Sequence, residues 1–181
     1  MKNVSIFLAD GCEEIEALTV VDILRRAGVH VDMVSVTGRK EISGSHRIRI
    51  MTEFLYEEMD FTDTDILVLP GGMPGTLRLQ EHAELCGLLQ AYDREKRFVA
   101  AICAAPSVLG RLEILNGRQA CCYPGFEEKL LGAQVVNEPA VQDGHVITGR
   151  GMGTAIPFAL KLTEVLCGKE KAEEVRKSIL A

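Results

Sequence analysis

Short apolar runs alternate with amphipathic segments along most of this chain, and that alternation narrows the possible folds more than any other feature. Several of the apolar runs are continuous stretches of Val, Ile and Leu, which is typical of strands buried on both faces. The alternation predicts an α/β fold in which helices cover a parallel sheet. The predicted strands are Asn3 to Leu8, His30 to Val36, Asp65 to Leu69, Arg97 to Ile102, Gln119 to Cys122 and His145 to Thr148.

The first helix is predicted from Glu13 to Ala27, because acids occupy its opening turn, Arg25 and Arg26 its last turn, and Gly28 follows directly. These charges complement the helix macrodipole, and glycine commonly follows a helix C-terminus. The polar stretch between Thr37 and Ile50 contains two glycines and predicts a β-hairpin outside the main pattern. Further helices are predicted at His82 to Lys96, Ala104 to Leu112, Phe126 to Leu131, Thr154 to Leu166 and Lys169 to Ser178.

Length and charge limit the class of protein. A chain of 181 residues with 47% hydrophobic content can bury one core, so residues 1–181 are interpreted as a single domain. Its formal charge of -6 argues against a nucleic-acid partner. The N-terminal apolar run is too short for a secretory signal, and no run approaches the roughly 20 apolar residues of a membrane helix. A cytoplasmic protein without a membrane partner is therefore expected.

The cysteine and histidine spacing contains no metal or disulfide motif. The six cysteines form no CxxC pair and the four histidines are isolated, so no metal site is expected. Adjacent Cys121 and Cys122 could form only a strained vicinal disulfide, and they are interpreted as strand residues with free thiols.

Cys103 lies where a buried strand is predicted to end and a helix to begin. Ligands of open α/β sheets bind beyond the carboxyl ends of strands, and a nucleophile elbow places its reactive side chain at such a turn. A helix starting at Ala104 would direct its free N–H groups and its positive dipole end at the sulfur, which would stabilise a thiolate. The alternative is that Cys103 is a small buried hydrophobic residue, as free cysteines commonly are.

Two glycines follow the third predicted strand, in "LPGG" from Leu69 to Gly72. Because glycine has no Cβ, the backbone N–H groups here can approach a neighbouring site closely. The N–H groups of Gly72 and Ala104 could together form an oxyanion hole. The alternative is an ordinary glycine turn.

Glu16 lies on the same helical line as Val20, Ile23 and Ala27, a largely apolar stripe on which a charge is expensive to bury. Its carboxyl would stay protonated or find a partner. Alternatively it supplies negative charge near the helix start, as Glu13 and Glu14 are expected to do.

Four motifs, "GCEEIEAL", "LPGGMPG", "AAICAAP" and "TGRGMGTA", resemble the ThiJ/PfpI superfamily, and within it the branch of the parkinsonism-associated deglycase, often called DJ-one. They follow the family's order and cover nearly the whole chain. The resemblance implies a flavodoxin-like three-layer α/β sandwich with a mostly parallel central sheet, a cysteine on a nucleophile elbow, and a homodimer.

The resemblance also implies roles for single residues. Cys103 matches the reactive cysteine, and Glu16 matches the protonated glutamate that hydrogen-bonds its sulfur. Gly72 and Ala104 match the backbone donors around the cysteine. The residues expected to bind substrate are Gly71, Tyr123, Arg150 and either His46 or Arg47 of "GSHR".

Two positions depart from the pattern of the resembled family. In the protease-like PfpI branch a histidine directly follows the cysteine, whereas Ala104 follows it here, which argues against a protease. Some relatives place a histidine near the cysteine at the end of the next strand, where this chain has Tyr123. Glu16 is therefore left to perform any proton transfer.

The resemblance implies an enzyme of the glyoxalase or deglycase type, which needs no cofactor and acts in stress defence on a reactive carbonyl such as methylglyoxal or on a glycated adduct. One alternative is a redox sensor or stress chaperone that acts through oxidation of Cys103. Another is a pseudo-enzyme that keeps the fold for a partner. The first two hypotheses need an acidified thiol, so the pH dependence of Cys103 alkylation would separate them from the third.

Overall fold

The apolar runs form a central sheet, and the computed structural model describes residues 2–181 of the chain. Its strands are β1 (Asn3–Leu8), β2 (His30–Ser35), β3 (Glu41–Ser43), β4 (Arg49–Met51), β5 (Phe54–Leu55), β6 (Ile66–Leu69), β7 (Phe98–Ile102), β8 (Gln119–Ala120), β9 (Gln134–Val135), β10 (Ala140–Asp143) and β11 (Val146–Gly149). Seven of them form the sheet in the order β10-β11-β7-β6-β1-β2-β5. Every neighbouring pair is parallel except the edge pair β10 and β11.

Helices cover both faces of this sheet. They are α1 (Glu14–Arg26), α2 (Gly75–Glu81), α3 (Ala83–Arg94), α4 (Pro106–Arg111), α5 (Ala155–Cys167) and α6 (Lys169–Ser178). Successive side chains of a strand point to opposite faces, so Ile6 packs with α1, α5 and α6, whereas Phe7 packs with α2, α3 and α4. This arrangement confirms the predicted flavodoxin-like three-layer sandwich with a mostly parallel central sheet.

Several predicted elements differ from those observed. The predicted strand Gln119 to Cys122 shortens to β8, which pairs with β9 in a separate two-stranded sheet, because the N–H of Cys121 donates to Thr148 Oγ1 instead of to a strand. The segment Phe126 to Leu131 contains only a 3-10 turn at Glu127–Lys129. Helix α2 and the edge strand β10 were not predicted.

The predicted hairpin between Thr37 and Ile50 is confirmed, since β3 and β4 pair antiparallel there. Asp10, just after β1, anchors it by accepting the N–H of Ser43 at 2.8 Å and by pairing with Arg39. Within residues 2–181, every helix is too short or too polar to span a bilayer.

The strand order places three loops side by side. Strands β7, β6 and β1 are neighbours in the sheet and run parallel, so their carboxyl ends meet at one edge. Cys103 follows β7, Gly71 and Gly72 follow β6, and the segment that leads into α1 follows β1. The three sequence motifs therefore converge at one place.

Candidate active site

Cys103 occupies a tight turn between β7 and α4. Its backbone has a φ of +67°, a left-handed conformation that is uncommon for residues other than glycine. Its N–H donates to Gly149 O on the neighbouring strand at 3.0 Å, and the N–H of Ala105 donates to Ile102 O at 3.1 Å. Helix α4 begins at Pro106, not at Ala104 as predicted, because this turn comes first. The side chain of Cys103 is partly exposed at the end of a buried strand.

Glu16 is completely buried on the first turn of α1. Its Oε2 accepts the N–H of Gly71 at 2.9 Å. Its Oε1 is shielded from solvent and has no hydrogen-bond partner of good geometry among residues 2–181. A carboxylate oxygen without a donor is costly to bury, so this arrangement favours a proton on Oε1.

Gly71 separates Glu16 from Cys103. A Cβ at this position would stand 2.6 Å from Cys103 Cβ, 2.7 Å from Glu16 Oε2 and 3.0 Å from Ile102 O. The first two distances are shorter than real Cβ contacts, so a glycine is required for the carboxyl to approach the thiol. Gly72 has a φ of +89° and packs against Glu13 N.

The two acids influence each other strongly. Burial raises the pKa of Glu16 to about 7. Burial, together with the charge of Glu16, raises the pKa of the Cys103 thiol to about 12. The N–H groups of Ala104 and Gly72 act in the opposite direction, because they donate to the sulfur.

The raised thiol pKa is opposite to the lowered value expected from the sequence. That expectation relied on the dipole of a helix starting at Ala104, but α4 has only six residues and starts later. The expectation also did not include Glu16, a second acid that lies next to the thiol. Two acids in contact cannot both ionise readily, so above about pH 7 the pair carries one negative charge.

Tyr123 lies beside the cysteine. Its backbone N–H donates to Cys103 O at 2.8 Å. Its ring is about half exposed and packs against Gly151, where a Cβ would stand 3.3 Å from Cδ2. The backbone N–H of the preceding Arg150 donates to Pro139 O. Burial raises the pKa of Cys121 and Cys122, and the charge of the Arg150 guanidinium partly opposes that rise. The structure thus brings Tyr123 to Cys103, with Arg150 next to the same segment.

His46 lies on the hairpin loop and is largely exposed. Its Nδ1 is 3.0 Å from Glu14 Oε2 and 3.9 Å from Glu13 Oε1. The hydrogen bond to Glu14 raises the pKa of His46. The neighbouring Arg47 instead has a φ of +65° at the exposed tip of the loop. Of the two alternatives, His46 is the one that bonds to the start of α1.

Glu13 and Glu14, which the sequence suggested supply negative charge near the start of the first helix, also have defined hydrogen-bond partners. Glu14 is buried, and its carboxylate accepts the backbone N–H of His46 at 2.7 Å and that of Ile48 at 3.4 Å. Its place on a helical line with the buried Ala17, Val21 and Leu24 is a signal that could have revealed this burial. Glu13 caps α1, with Oε2 accepting the N–H of Glu16 at 2.7 Å.

Comparison with known proteins extends these observations. A family model described as the DJ-1/PfpI family matches residues 2–165. The chain is 36% identical over 181 residues to protein dj-1beta of Drosophila melanogaster, covering 99% of this chain and 97% of that protein. It is 31% identical over 172 residues to the glutathione-independent glyoxalase DJR-1.2 of Caenorhabditis elegans, covering 94% of this chain and 91% of that protein. A solved structure described as Toxoplasma gondii DJ-1, oxidized, matches with a TM-score of 0.95 at 32% identity, covering 99% of this chain and 98% of that one.

Proposed function

This chain belongs to the DJ-1/PfpI family, and from that premise we propose that it converts reactive α-oxoaldehydes such as methylglyoxal, free or as early glycation adducts, into hydroxyacids without a cofactor. One observation carries the proposal. A buried carboxyl with an unpartnered oxygen, Glu16, lies against a partly exposed thiol, Cys103, that the N–H groups of Gly72 and Ala104 contact. The glyoxalase name of a 31% identical relative agrees with this chemistry.

The reactive state carries its single negative charge on sulfur. Two backbone N–H groups stabilise a charge on the sulfur, whereas a charge on Glu16 would lie in a fully buried site and would be stabilised by the Gly71 N–H and the Cys103 S–H. With its proton kept, Glu16 can also donate a hydrogen bond to the thiolate. The pair as a whole is then expected to lose its first proton near pH 7, below the ordinary thiol value of about 8.5.

The reaction proceeds through a covalent adduct on Cys103. The thiolate attacks the aldehyde carbon, and the new oxyanion, held by the N–H groups of Gly72 and Ala104, takes the proton of Glu16 to give a hemithioacetal. The Glu16 carboxylate then removes the proton from that carbon, and the resulting enediol is reprotonated at the neighbouring carbon, which leaves a thioester. Water cleaves the thioester, so that methylglyoxal plus one water gives lactate and the free thiol.

The test measures methylglyoxal loss and lactate formation together. Cys103→Ser and Glu16→Gln should each lower the turnover at least about 100-fold, because each removes a reacting group. Cys167→Ser, which changes an exposed cysteine on α5, is the control. Undiminished turnover in Cys103→Ser would exclude the covalent route.

Redox sensing through Cys103 is the second candidate, and the carboxyl beside its thiol favours it. Cys86 is partly exposed and Cys167 is exposed, but Cys103 combines partial exposure with a neighbouring Glu16 carboxyl that can hydrogen-bond an oxidised sulfur. Mild peroxide should then add oxygen selectively at Cys103, as read by peptide mass spectrometry. Selective oxidation combined with negligible carbonyl turnover would favour sensing over catalysis.

We also propose that the chain forms a homodimer, as its family resemblance implies. Leu18 on α1 and Ile156 on α5 are exposed apolar residues that border one groove. Apolar side chains exposed together in this way are typical of an interface.

A further inference from the structure

We propose that Glu13 is a positioning residue that keeps the shared proton on Glu16 and the negative charge on the Cys103 sulfur. The proposal rests on the same pair of residues as the proposed function, but it requires no carbonyl substrate. Glu13 takes no part in the bond changes of the proposed reaction. It acts through its hydrogen bond to Glu16 and through its charge.

Three hydrogen bonds form a closed ring that involves Glu13, Glu16 and Gly71. The N–H of Glu13 donates to Gly71 O at 2.8 Å, and the N–H of Gly71 donates to Glu16 Oε2 at 2.9 Å. The N–H of Glu16 then donates to Glu13 Oε2 at 2.7 Å. The ring fixes the start of α1 against the loop after β6, and it leaves Oε1 as the only free oxygen of Glu16.

The charge of Glu13 acts unequally on the two acids. Its carboxylate is hydrogen-bonded to the Glu16 backbone, and its negative charge disfavours a second charge on the Glu16 carboxyl. The Cys103 side chain is reached only across the Gly71 backbone, whereas the Glu13 carboxylate is bonded directly to the residue that carries the Glu16 carboxyl. An electrostatic effect that is stronger on one partner moves the proton toward that partner, so the remaining charge goes to the sulfur.

The charged neighbours of Glu13 and Glu16 limit how strongly the charge of Glu13 can hold the shared proton on Glu16. Glu16 faces Cys103, the Gly71 N–H and Glu13. Glu13 in turn lies 3.9 Å from His46 Nδ1, whose pKa is raised by Glu14. An imidazolium at His46 partly offsets the charge of Glu13, so the preference for sulfur should strengthen as His46 loses its proton.

The experiment follows the rate of Cys103 alkylation by iodoacetamide from pH 5 to pH 9 in the full chain. Glu13→Gln removes the charge but keeps a carbonyl oxygen that can accept the Glu16 N–H. Glu13→Ala removes both, and Glu13→Asp keeps the charge. Asp22→Asn, which neutralises an exposed acid later on α1, is the matched control. Infrared difference spectra against Glu16→Gln report the protonated carboxyl of Glu16 directly.

Glu13→Gln should lower the plateau rate of Cys103 alkylation about threefold and move its midpoint to lower pH, because part of the charge moves to Glu16. The infrared band of the protonated carboxyl should weaken in parallel, and Glu13→Asp should restore both. A purely structural role for Glu13 predicts instead that Glu13→Gln behaves like the unaltered chain while Glu13→Ala does not. That result, or an unchanged infrared band in Glu13→Gln, would overturn the proposal. Neither readout depends on carbonyl turnover, so absence of glyoxalase activity would leave this test intact.

Discussion

The backbone N–H of Tyr123 donates a 2.8 Å hydrogen bond to the carbonyl oxygen of Cys103, which ties the loop after β8 to the turn that carries the thiol. Since the bond uses only backbone atoms, the side chain at position 123 can change while the contact persists. Some members of the family carry a histidine at the place that Tyr123 occupies here.

Tyr123→His should raise kcat/KM for methylglyoxal about tenfold at neutral pH, because it supplies an imidazole for proton transfer beside the thiol. Steady-state lactate formation measures the change. Tyr123→Gln has a polar side chain that cannot act as a base, and it should give no such increase. Equal rates in these two variants would show that the imidazole adds nothing at this position.

Gly71→Ala should abolish most of the turnover and destabilise the protein, because its methyl group would overlap Cys103 Cβ and Glu16 Oε2. Gly87→Ala is the matched control, since Gly87 lies inside α3 with no neighbour within 4 Å of an added Cβ. That change should instead stabilise the fold by about 0.5 to 1 kcal/mol. Thermal unfolding and lactate assays on both variants check the expectation, and wild-type activity in Gly71→Ala would contradict it.

The stability of the protein should depend on the first proton that the Glu16–Cys103 pair loses. Burial raises the pKa of Glu16 in the folded state to about 7 from an ordinary 4.5, so the folded pair binds this proton more tightly than the unfolded chain does. The resulting stabilisation is complete below pH 4.5 and is lost as the pH rises through 7. Between pH 4.5 and pH 8 the unaltered chain should lose up to about 3 kcal/mol relative to Glu16→Gln. Urea unfolding of both proteins measures the difference, and parallel pH profiles would argue against a buried protonated carboxyl.

Leu18→Glu should dissociate the proposed homodimer, because a charge would then occupy an apolar surface that the partner covers. Sedimentation velocity measures the mass in solution. Leu77→Glu alters an exposed apolar residue on α2, on the opposite face of the sheet, and should leave the dimer intact. A monomer in the unaltered chain would refute the proposal before any substitution is made.

Most of the sheet could be predicted from the sequence, because β6 and β7 are unbroken apolar runs and β1 is apolar from Val4 to Leu8 apart from Ser5. Such runs are typical of buried strands. The edge strand β10 was missed because its outer position permits the polar sequence Ala140–Asp143. Helix α2 was missed because Pro74 and Gly75, which ordinarily mark a turn, begin it.

The structure brings Glu16, Gly71 and Cys103 together, but the electrostatics of the site could not be predicted. The helical spacing of Glu16 allowed a buried carboxyl or a charge near the helix start, and the glycines after β6 allowed a close approach or an ordinary turn. The pKa of Cys103 depends instead on which acid lies within bonding distance of the sulfur, a relation across 87 positions of the chain that no local pattern contains. The hydrogen bonds of Glu14 to the hairpin are equally long-range.

At Cys103 the residue that the left-handed backbone favours, a glycine, differs from the residue that the proposed chemistry needs. At a φ of +67° a glycine would relieve strain on the order of 1 kcal/mol that the cysteine imposes. Lineages that drift without need of the thiol should therefore accumulate glycine at this position, and a cysteine that persists there over long divergence is a record of continuous use.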